Sequence, residues 1–246
     1  MIALSVNLNK IATLRNSRGG SIPRVTDAVA VCVAAGVNGI TVHPRADQRH
    51  ITPGDVRDVK RMLAQHTPHV EFNVEGDPRP DLIALVDEVR PDQCTLVPVA
   101  PGEVTSQAGW RPGSQTAGVA AVVSAMKARD TRVSLFVDAD EASIRWAASV
   151  GADRVELYTE PFARAYERGV DAARESFALY AAAARLAYSL GLGVNAGHDL
   201  DLDNLTIFRQ LPHLDEVSIG HAIISRAVFV GLETVVREYL AVLADA

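Results

Sequence analysis

Side chains that can move protons or hold anions stand at the ends of several short apolar runs in this sequence. The run GITV is followed by His43, and then closely by Arg45 and His50, while the run VNAG is followed by His198. Histidine titrates near neutral pH and serves as acid or base, and arginine binds phosphate or carboxylate through two parallel hydrogen bonds. The combination indicates a site that binds an anion and transfers protons.

Glutamates lie within two of the apolar runs, where an ionised side chain is costly. Glu71 belongs to VEFNVEG, which also contains Glu75, and Glu156 belongs to RVELYTE. An unpaired buried carboxylate costs several kcal/mol, so we expect Glu71 and Glu156 either to pair with an arginine of a neighbouring strand or to have a raised pKa. The second case would suit a general base, and the sequence alone leaves both open.

The apolar runs recur at intervals that predict a regular α/β fold. Predicted strands cover residues 4–9, 39–44, 70–76, 93–99, 132–138, 154–160, 192–199 and 216–222. Segments with helical spacing separate them, which favours a parallel sheet, and continuous apolar strands imply that both of its faces are buried. Eight such units without a linker predict one domain over residues 1–246, a (β/α)8 TIM barrel. Residues 164–190 exceed one ordinary helix, which indicates extra helices.

Composition limits the classes of function. The chain has 48% hydrophobic and 22% charged residues, a net charge of -6 and a pI near 5.6, which is typical of a soluble globular protein and argues against a nucleic-acid surface. We expect a cytoplasmic location, because neither a signal peptide nor an apolar run of membrane-spanning length is apparent. Cys32 and Cys94 are far apart in apolar surroundings and are expected to be reduced core thiols.

In an α/β barrel the loops after the strands share one face, where active sites are built. Further basic residues, Arg15 and Arg18, follow the first strand, and Gly220 precedes a predicted helix that starts at His221. A glycine before a helix lets the backbone approach a ligand and directs free N–H groups at it, which favours an anion. We therefore expect one or two phosphate-like groups to bind at this face.

Five phrases together resemble the pyridoxine 5'-phosphate synthase family: VNLNKIATLRNSRGG, GITVHPRADQRHIT, VSLFVDAD, VNAGHDL and IGHAIISRAV. They occur in family order from residue 4 to about 231. The resemblance implies condensation of 1-deoxy-D-xylulose 5-phosphate with 3-amino-2-oxopropyl phosphate to give pyridoxine 5'-phosphate, phosphate and water. It also implies an α/β barrel with extra helices, a homo-octamer built as a tetramer of dimers, and no metal or organic cofactor.

The resemblance also implies residue roles. His43 and Glu71 match the proton acceptors, His198 matches the proton donor, and Glu156 matches the carboxylate that stabilises cationic intermediates. The substrate-binding positions implied in this way are Asn7, Asn9, Lys10, Arg18, Arg45, His50, Thr105, Asp199, Gly220 and His221. Many family members have Asp-His where this chain has Asn9-Lys10, and glycine where it has Asp199, whose charge is unfavourable near an anion unless it points away.

Other functions remain open on the sequence. A Schiff-base aldolase would use Lys10 as a nucleophile activated by burial. A metal-dependent sugar-phosphate isomerase or epimerase would use His43, Glu71 and His198 as ligands. A barrel that only binds a metabolite is less favoured, because buried carboxylates and strand-end histidines are costly to retain for binding alone.

Overall fold

The chain folds into a closed barrel of parallel strands. A computed structural model describes residues 1–66, 68–99, 108–113 and 115–244. The strands are β1 (Ala3–Asn7), β2 (Gly39–Val42), β3 (Glu71–Gly76), β4 (Gln93–Leu96), β5 (Arg132–Val137), β6 (Arg154–Tyr158), β7 (Gly193–Gly197) and β8 (Leu214–Ile219). Each strand pairs in parallel with its neighbours in sequence, and β8 pairs with β1. The predicted (β/α)8 barrel is confirmed.

Eleven helices accompany the strands within the described ranges. They are α1 (Asn9–Asn16), α2 (Val25–Ala35), α3 (Pro53–Leu63), α4 (Pro80–Val89), α5 (Thr116–Lys127), α6 (Glu141–Ser149), α7 (Glu160–Glu167), α8 (Val170–Ser189), α9 (Leu205–Phe208), α10 (His221–Val230) and α11 (Leu232–Ala244). Two helices follow each of β1, β6 and β8, and one follows every other strand. The extra helices are therefore confirmed, and residues 164–190 contain the end of α7 and all of α8.

The strands alternate in polarity more strictly than their apolar appearance suggests. On β1, Leu4 and Val6 are fully buried on the outer face, under the helices, whereas Ser5 and Asn7 point into the barrel. The inward direction follows from hydrogen bonds that cross the barrel, such as the one from Asn7 Nδ2 to Glu75 Oε2 on β3 at 3.2 Å. Both faces of the sheet are buried as predicted, but the inner face is largely polar.

Inward positions form three layers, because side chains alternate along each strand. The middle layer contains only polar side chains: Ser5, Thr41, Asn73, Thr95, Ser134, Glu156, Asn195 and Ser218. Hydrogen bonds connect several of them, including Ser5 Oγ to Thr41 Oγ1 at 2.7 Å and Thr95 Oγ1 to Asn73 Oδ1 at 3.1 Å. Such bonds offset the cost of burying polar groups. The layer above, at the carboxyl ends of the strands, carries the candidate site.

Two further expectations concern the cysteines and membranes. Cys32 and Cys94 are both buried and free, and burial raises the pKa of each thiol to about 12. They are therefore core thiols, as predicted. Among the helices of the described residues, none has the length and apolar character needed to cross a bilayer.

Candidate active site

The first three strands end in a polar group. Asn7 ends β1, His43 follows β2, and Glu75 lies near the end of β3. His43 Nδ1 is 3.7 Å from Glu75 Oε2, the same oxygen that accepts the hydrogen bond from Asn7. Asn9 contributes from the start of α1, because its Oδ1 accepts a hydrogen bond from His43 N at 2.8 Å. Asn7, Asn9 and His43 are thus brought together, with Glu75 as the carboxylate.

Glu71 does not join this group. It is the first residue of β3, level with Gly39 at the start of β2, so it lies about 13 Å along the strand from Glu75 at 3.3 Å per residue. There it forms an ion pair with Arg132, which also donates to Gln93 Oε1 at 2.8 Å. Glu71 and Glu75 share the inner face of one strand, but only Glu75 reaches the candidate site. Glu71 therefore pairs with an arginine, one of the two states expected for it, and it does not lie at the candidate site with His43.

Burial controls the protonation of the His43–Glu75 pair. Burial, with smaller contributions from the nearby His50, Arg45 and Arg79, lowers the pKa of His43 to about 3. Burial raises the pKa of Glu75 to about 7, although the hydrogen bond from Asn7 opposes this. Near neutral pH His43 is therefore neutral, whereas Glu75 is close to the midpoint of its titration. Among the described residues, His43 Nε2 has no hydrogen-bond partner although it is buried, which makes it available to a ligand.

The loop after β2 carries the expected basic residues. Arg45 is buried, and His50 lies with its ring centroid 6.0 Å from that of His43. His50 Nδ1 accepts a hydrogen bond from Ile51 N at 2.9 Å, so the proton of the neutral imidazole is on Nε2, which can donate to an anion. Burial and the charges of Arg45 and Lys10 lower the pKa of His50 to about 4.

Arg15 and Asn16 hold this loop from the end of α1. The Arg15 guanidinium binds Asp55 through Nη1 at 2.5 Å and Nη2 at 3.0 Å, and Nη2 also donates to His50 O at 3.2 Å. Asn16 Nδ2 donates to His50 O at 2.9 Å and to Arg49 O at 3.2 Å. Arg15 is therefore committed to supporting the loop, which explains why it adds no free charge for a phosphate.

The remaining candidates on the first βα segment lie nearer the surface. Lys10 is exposed on α1, and its charge lowers the pKa of both His50 and His198, so it lies near both histidines. Arg18 lies in the exposed turn after α1. The exposure of Lys10 gives no burial to activate an amine, which weakens the aldolase alternative.

Glu156 reaches upward from the middle layer of β6. Its Oε1 would lie 2.5 Å from a Cβ placed on Gly197 of β7, so glycine at position 197 leaves room for the carboxyl group. Burial raises the pKa of Glu156 well above its usual range, and the neighbouring Glu75 and Glu216 carboxyls raise it further. Its Oε2 is buried and has no partner among the described residues. Glu156 thus presents a carboxyl group with a raised pKa beside Gly197, close to the carboxyl ends of the strands.

His198 and Asp199 form a tight turn after β7. Both have a left-handed backbone, with φ of 90° and 57° respectively. The Asp199 carboxylate binds Arg164 Nη2 on α7 at 3.2 Å. Its charge is therefore directed to a cation, which meets the condition under which aspartate is tolerated near an anion. Burial lowers the pKa of His198, whereas Asp199 and Glu160 act in the opposite direction.

The last expected positions are at the end of β8 and in the loop after β4. Gly220 precedes α10, and a Cβ on it would lie 2.9 Å from Asn7 O, so close approach to β1 requires glycine there. His221 is the exposed first residue of α10, whose amino terminus therefore opens at the same face as Asn7. Thr105 lies outside the described residues.

A family model described as "Pyridoxal phosphate biosynthesis protein PdxJ" matches residues 4–245. The chain belongs to this family. A pyridoxine 5'-phosphate synthase of Porphyromonas gingivalis is 50% identical over 240 residues, which cover 97% of this chain and 98% of the relative. Another, from Xanthomonas oryzae, is 51% identical over 251 residues, with 98% and 96% covered. The chain is thus similar to these PdxJ relatives over nearly its whole length.

More distant structures share only the barrel with this PdxJ-family chain. The phosphoribosyl anthranilate isomerase of Thermus thermophilus superposes with a TM-score of 0.61 and 18% identity, covering 99% of both chains. At this identity the similarity shows the fold alone. It agrees with the closed eight-stranded barrel of this chain.

Sequence reasoning missed Glu75 although the signal was present. Strand alternation gives Glu71, Asn73 and Glu75 the same inner face of β3, and the rule that active sites lie at carboxyl ends selects Glu75. Arg79 could not be identified in this way, because it lies after β3 and not within the strand. It binds Asp77 Oδ1 at 2.5 Å and donates to Pro44 O, so it supports the loop after β2 from the next βα connection.

Proposed function

We propose that the chain is a pyridoxine 5'-phosphate synthase that condenses 1-deoxy-D-xylulose 5-phosphate with 3-amino-2-oxopropyl phosphate. Membership of the PdxJ family and the names of relatives near 50% identity support this activity. The observation in the site that supports it best is the His43–Glu75 pair, at 3.7 Å, beside the basic loop of Arg45 and His50. Acid–base groups and anion-binding groups meet there, as a phosphorylated substrate requires.

The ring closure needs several proton transfers, and the site offers groups in suitable states. His43 is neutral at physiological pH because burial lowers its pKa to about 3, so its Nε2 can accept a proton from a bound substrate. Glu75 can donate or accept, since burial raises its pKa to about 7. We assign these two groups to proton transfer, with Glu75 in the role that the sequence had suggested for Glu71.

His198 and Glu156 complete the proposed chemistry from the opposite side of the barrel. We assign His198 as the proton donor to the departing oxygen groups. Glu156 would stabilise cationic imine intermediates, because an adjacent positive charge favours its ionised form and offsets the burial that now raises its pKa. The cationic intermediate thus promotes the ionisation of Glu156, and the resulting carboxylate stabilises the intermediate.

We propose two phosphate positions at the barrel mouth. Arg45 and His50 would hold the phosphate of deoxyxylulose phosphate, with Thr105 contributing from the loop after β4. Arg18, Gly220 and His221 would hold the amino-ketone phosphate at the amino terminus of α10, with Asn7 below. The positive end of that helix favours an anion. We also assign Lys10, Asn9 and the backbone of Asp199 to contacts with the substrates at this face.

The alternative functions fit the site less well. Lys10 is exposed rather than buried, as an activated Schiff-base lysine would be. His43 and Glu71 lie at opposite ends of the barrel, so they cannot bind one metal ion together with His198. A protein that only binds a metabolite would not need two buried titratable groups in contact, as His43 and Glu75 are.

We also propose that the chain acts in the cytoplasm as a homo-octamer, the assembly that the family resemblance implies. Val228 and Phe229, which are adjacent near the end of α10, are 72% and 86% exposed. Neighbouring large apolar side chains that are this exposed are typical of an interface between subunits. A molar mass near that of one chain in light scattering would contradict the octamer.

The activity can be tested by incubating the purified protein with both substrates and following pyridoxine 5'-phosphate by mass spectrometry and released phosphate by colorimetry. The proposal predicts both products in equal amounts. Glu75→Gln should lower kcat by about 10²- to 10⁴-fold, the usual contribution of a general acid or base. Glu71→Gln is the matched control on the same strand.

The two variants separate the activity from the residue assignment. Folded wild-type protein that makes neither product would refute the synthase proposal itself. A folded Glu75→Gln protein with wild-type kcat, or a Glu71→Gln protein that loses turnover while remaining folded, would show that Glu75 is not the carboxylate. Circular dichroism confirms folding in each case.

A further inference from the structure

The imidazole of His198 is packed against aromatic rings that have no role in the chemistry described above. Its ring centroid is 5.2 Å from that of Tyr158, with an interplanar angle of 80°, and 6.0 Å from that of Phe136, at 51°. Phe136 and Tyr158 also contact each other at 5.3 Å. The edge of one ring against the face of another is a favourable geometry.

These rings form an apolar island inside a polar barrel. Val97, Phe136 and Tyr158 are 4%, 3% and 5% exposed and form a cluster separate from the main hydrophobic core. Val97 directly follows β4, and Phe136 and Tyr158 lie at the carboxyl ends of β5 and β6, whereas the corresponding positions at β1 to β3 carry Asn7, His43 and Glu75. The upper layer is therefore divided into an apolar half and an acid–base half, and His198 lies on the apolar half.

The backbone on either side of His198 is also fixed. Thr159 Oγ1, which is fully buried, donates to Gly197 O at 2.7 Å and also lies within hydrogen-bonding reach of His198 O. Asn204 Nδ2 donates to Asp199 O at 3.0 Å. A left-handed φ at a residue other than glycine costs of order 1–3 kcal/mol and persists only where the surroundings impose it. The rings then fix the one remaining freedom, the direction of the imidazole.

Tyr158 is itself held at both ends. Its hydroxyl donates to Glu160 Oε2, and its carbonyl oxygen accepts a hydrogen bond from Tyr180 Oη at 2.6 Å. A ring held in this way cannot turn aside to let the imidazole move. The wall behind His198 is thus rigid, which is the property that a precisely placed proton donor requires.

We propose that Phe136 and Tyr158 are positioning residues that fix the direction of the His198 imidazole and exclude water from the side that faces β5 and β6. The inference rests on the proposed role of His198 as proton donor. It deepens that role, because it names the groups that decide where the proton is delivered.

The charges around His198 set what should happen when the wall is opened. Asp199 in its own turn and Glu160 on α7 favour the protonated imidazole, Lys10 on α1 opposes it, and burial opposes it most strongly. Removing one of the aromatic rings should admit water and weaken the effect of burial, which is the largest influence on the pKa of His198. The pKa of His198 should then rise, and the alkaline limb of kcat, where a general acid loses its proton, should move to higher pH with it.

The experiment uses diethyl pyrocarbonate, which modifies neutral imidazoles, with peptide mass spectrometry to follow His198 separately from the other histidines. Phe136→Ala and Tyr158→Leu should raise the pH midpoint of His198 modification by about one pH unit and speed the reaction at the plateau. Tyr158→Phe keeps the ring and should restore the wild-type midpoint. Phe177→Leu is the matched control, because its ring contacts Phe208 outside the barrel.

The readout needs no turnover, so it stands apart from the synthase assay. A midpoint and rate unchanged in both Phe136→Ala and Tyr158→Leu, with the proteins folded, would overturn the inference. An equal shift in Phe177→Leu would also overturn it, since the effect would then be general loosening. If Phe136→Ala does not fold, Phe136→Leu and Tyr158→Leu decide by the same midpoint. A shift in a protein without synthase activity would refute only the proposed function.

Discussion

Replacing Glu75 by glutamine should make the protein less sensitive to rising pH. Burial raises the pKa of Glu75 from 4.5 to about 7, so the folded protein keeps a proton there that the unfolded chain releases. The wild type therefore has its full stability from this group below pH 4.5 and loses it progressively as the pH rises to about 7. Glutamine resembles the protonated carboxyl in shape and cannot ionise, so the variant avoids this loss.

The magnitude follows from the size of the pKa change. At 1.36 kcal/mol for each pKa unit, ionising Glu75 in the folded state costs about 3 kcal/mol once the pH exceeds 7. Because part of this cost is already present at pH 5, the stability of Glu75→Gln relative to wild type should increase by about 2–3 kcal/mol between pH 5 and pH 8. The side chain is only 11% exposed, so solvent screening reduces this little.

Urea titrations at pH 5, 6, 7 and 8, at one fixed protein concentration, give the free energy of unfolding of each protein. Glu88→Gln is the control. Arg57 binds Glu88 through Nε at 2.6 Å and lowers the pKa of Glu88. The pH dependence of stability that Glu88 causes therefore has the opposite sign and lies below pH 5. The difference in the free energy of unfolding between Glu88→Gln and wild type should be constant from pH 5 to pH 8. A flat difference for Glu75→Gln as well would refute the conclusion that burial raises the pKa of Glu75 in the folded protein.

Further predictions concern the turn after β7 and the loop after β2. Gly197→Ala would place a Cβ 2.5 Å from Glu156 Oε1 and 3.0 Å from Ser218 O, so we expect a loss of about 1–3 kcal/mol in the free energy of unfolding, measured by urea titration. Wild-type stability would show that Glu156 can move away freely. Arg15→Met should raise the KM for deoxyxylulose phosphate more than that for the amino ketone, because it releases the loop that carries His50. Equal changes in both KM values, in steady-state assays, would contradict this.

The parallel barrel was predictable because its signals are local. Each apolar run is short, each is followed by a segment of helical period, and eight repeats of this pattern have few alternative arrangements. The same logic placed His43 and His198 at the functional face, since both immediately follow a run. The basic loop of Arg45 and His50 was identified in the same way. These positions depend only on where a strand stops.

What the sequence alone did not resolve depends on contacts between segments far apart in the chain. Strand position separates Glu71 from Glu75, but only the closed barrel shows that Arg132 is the partner of the first and His43 the neighbour of the second. Arg15 looked like a phosphate ligand until its approach to Asp55, 40 residues away, was visible. Asp199 likewise required Arg164 to explain its charge.

The sequence by itself determined the order of strands and helices and the end of the barrel at which the polar residues gather, because strand ends and side-chain alternation are properties of neighbouring residues. Only the tertiary structure decided which charges are neutralised, which carboxyl keeps its proton and which rings stand behind His198. Those properties depend on burial and on distances of a few ångströms between strands. They exist only once the barrel has closed.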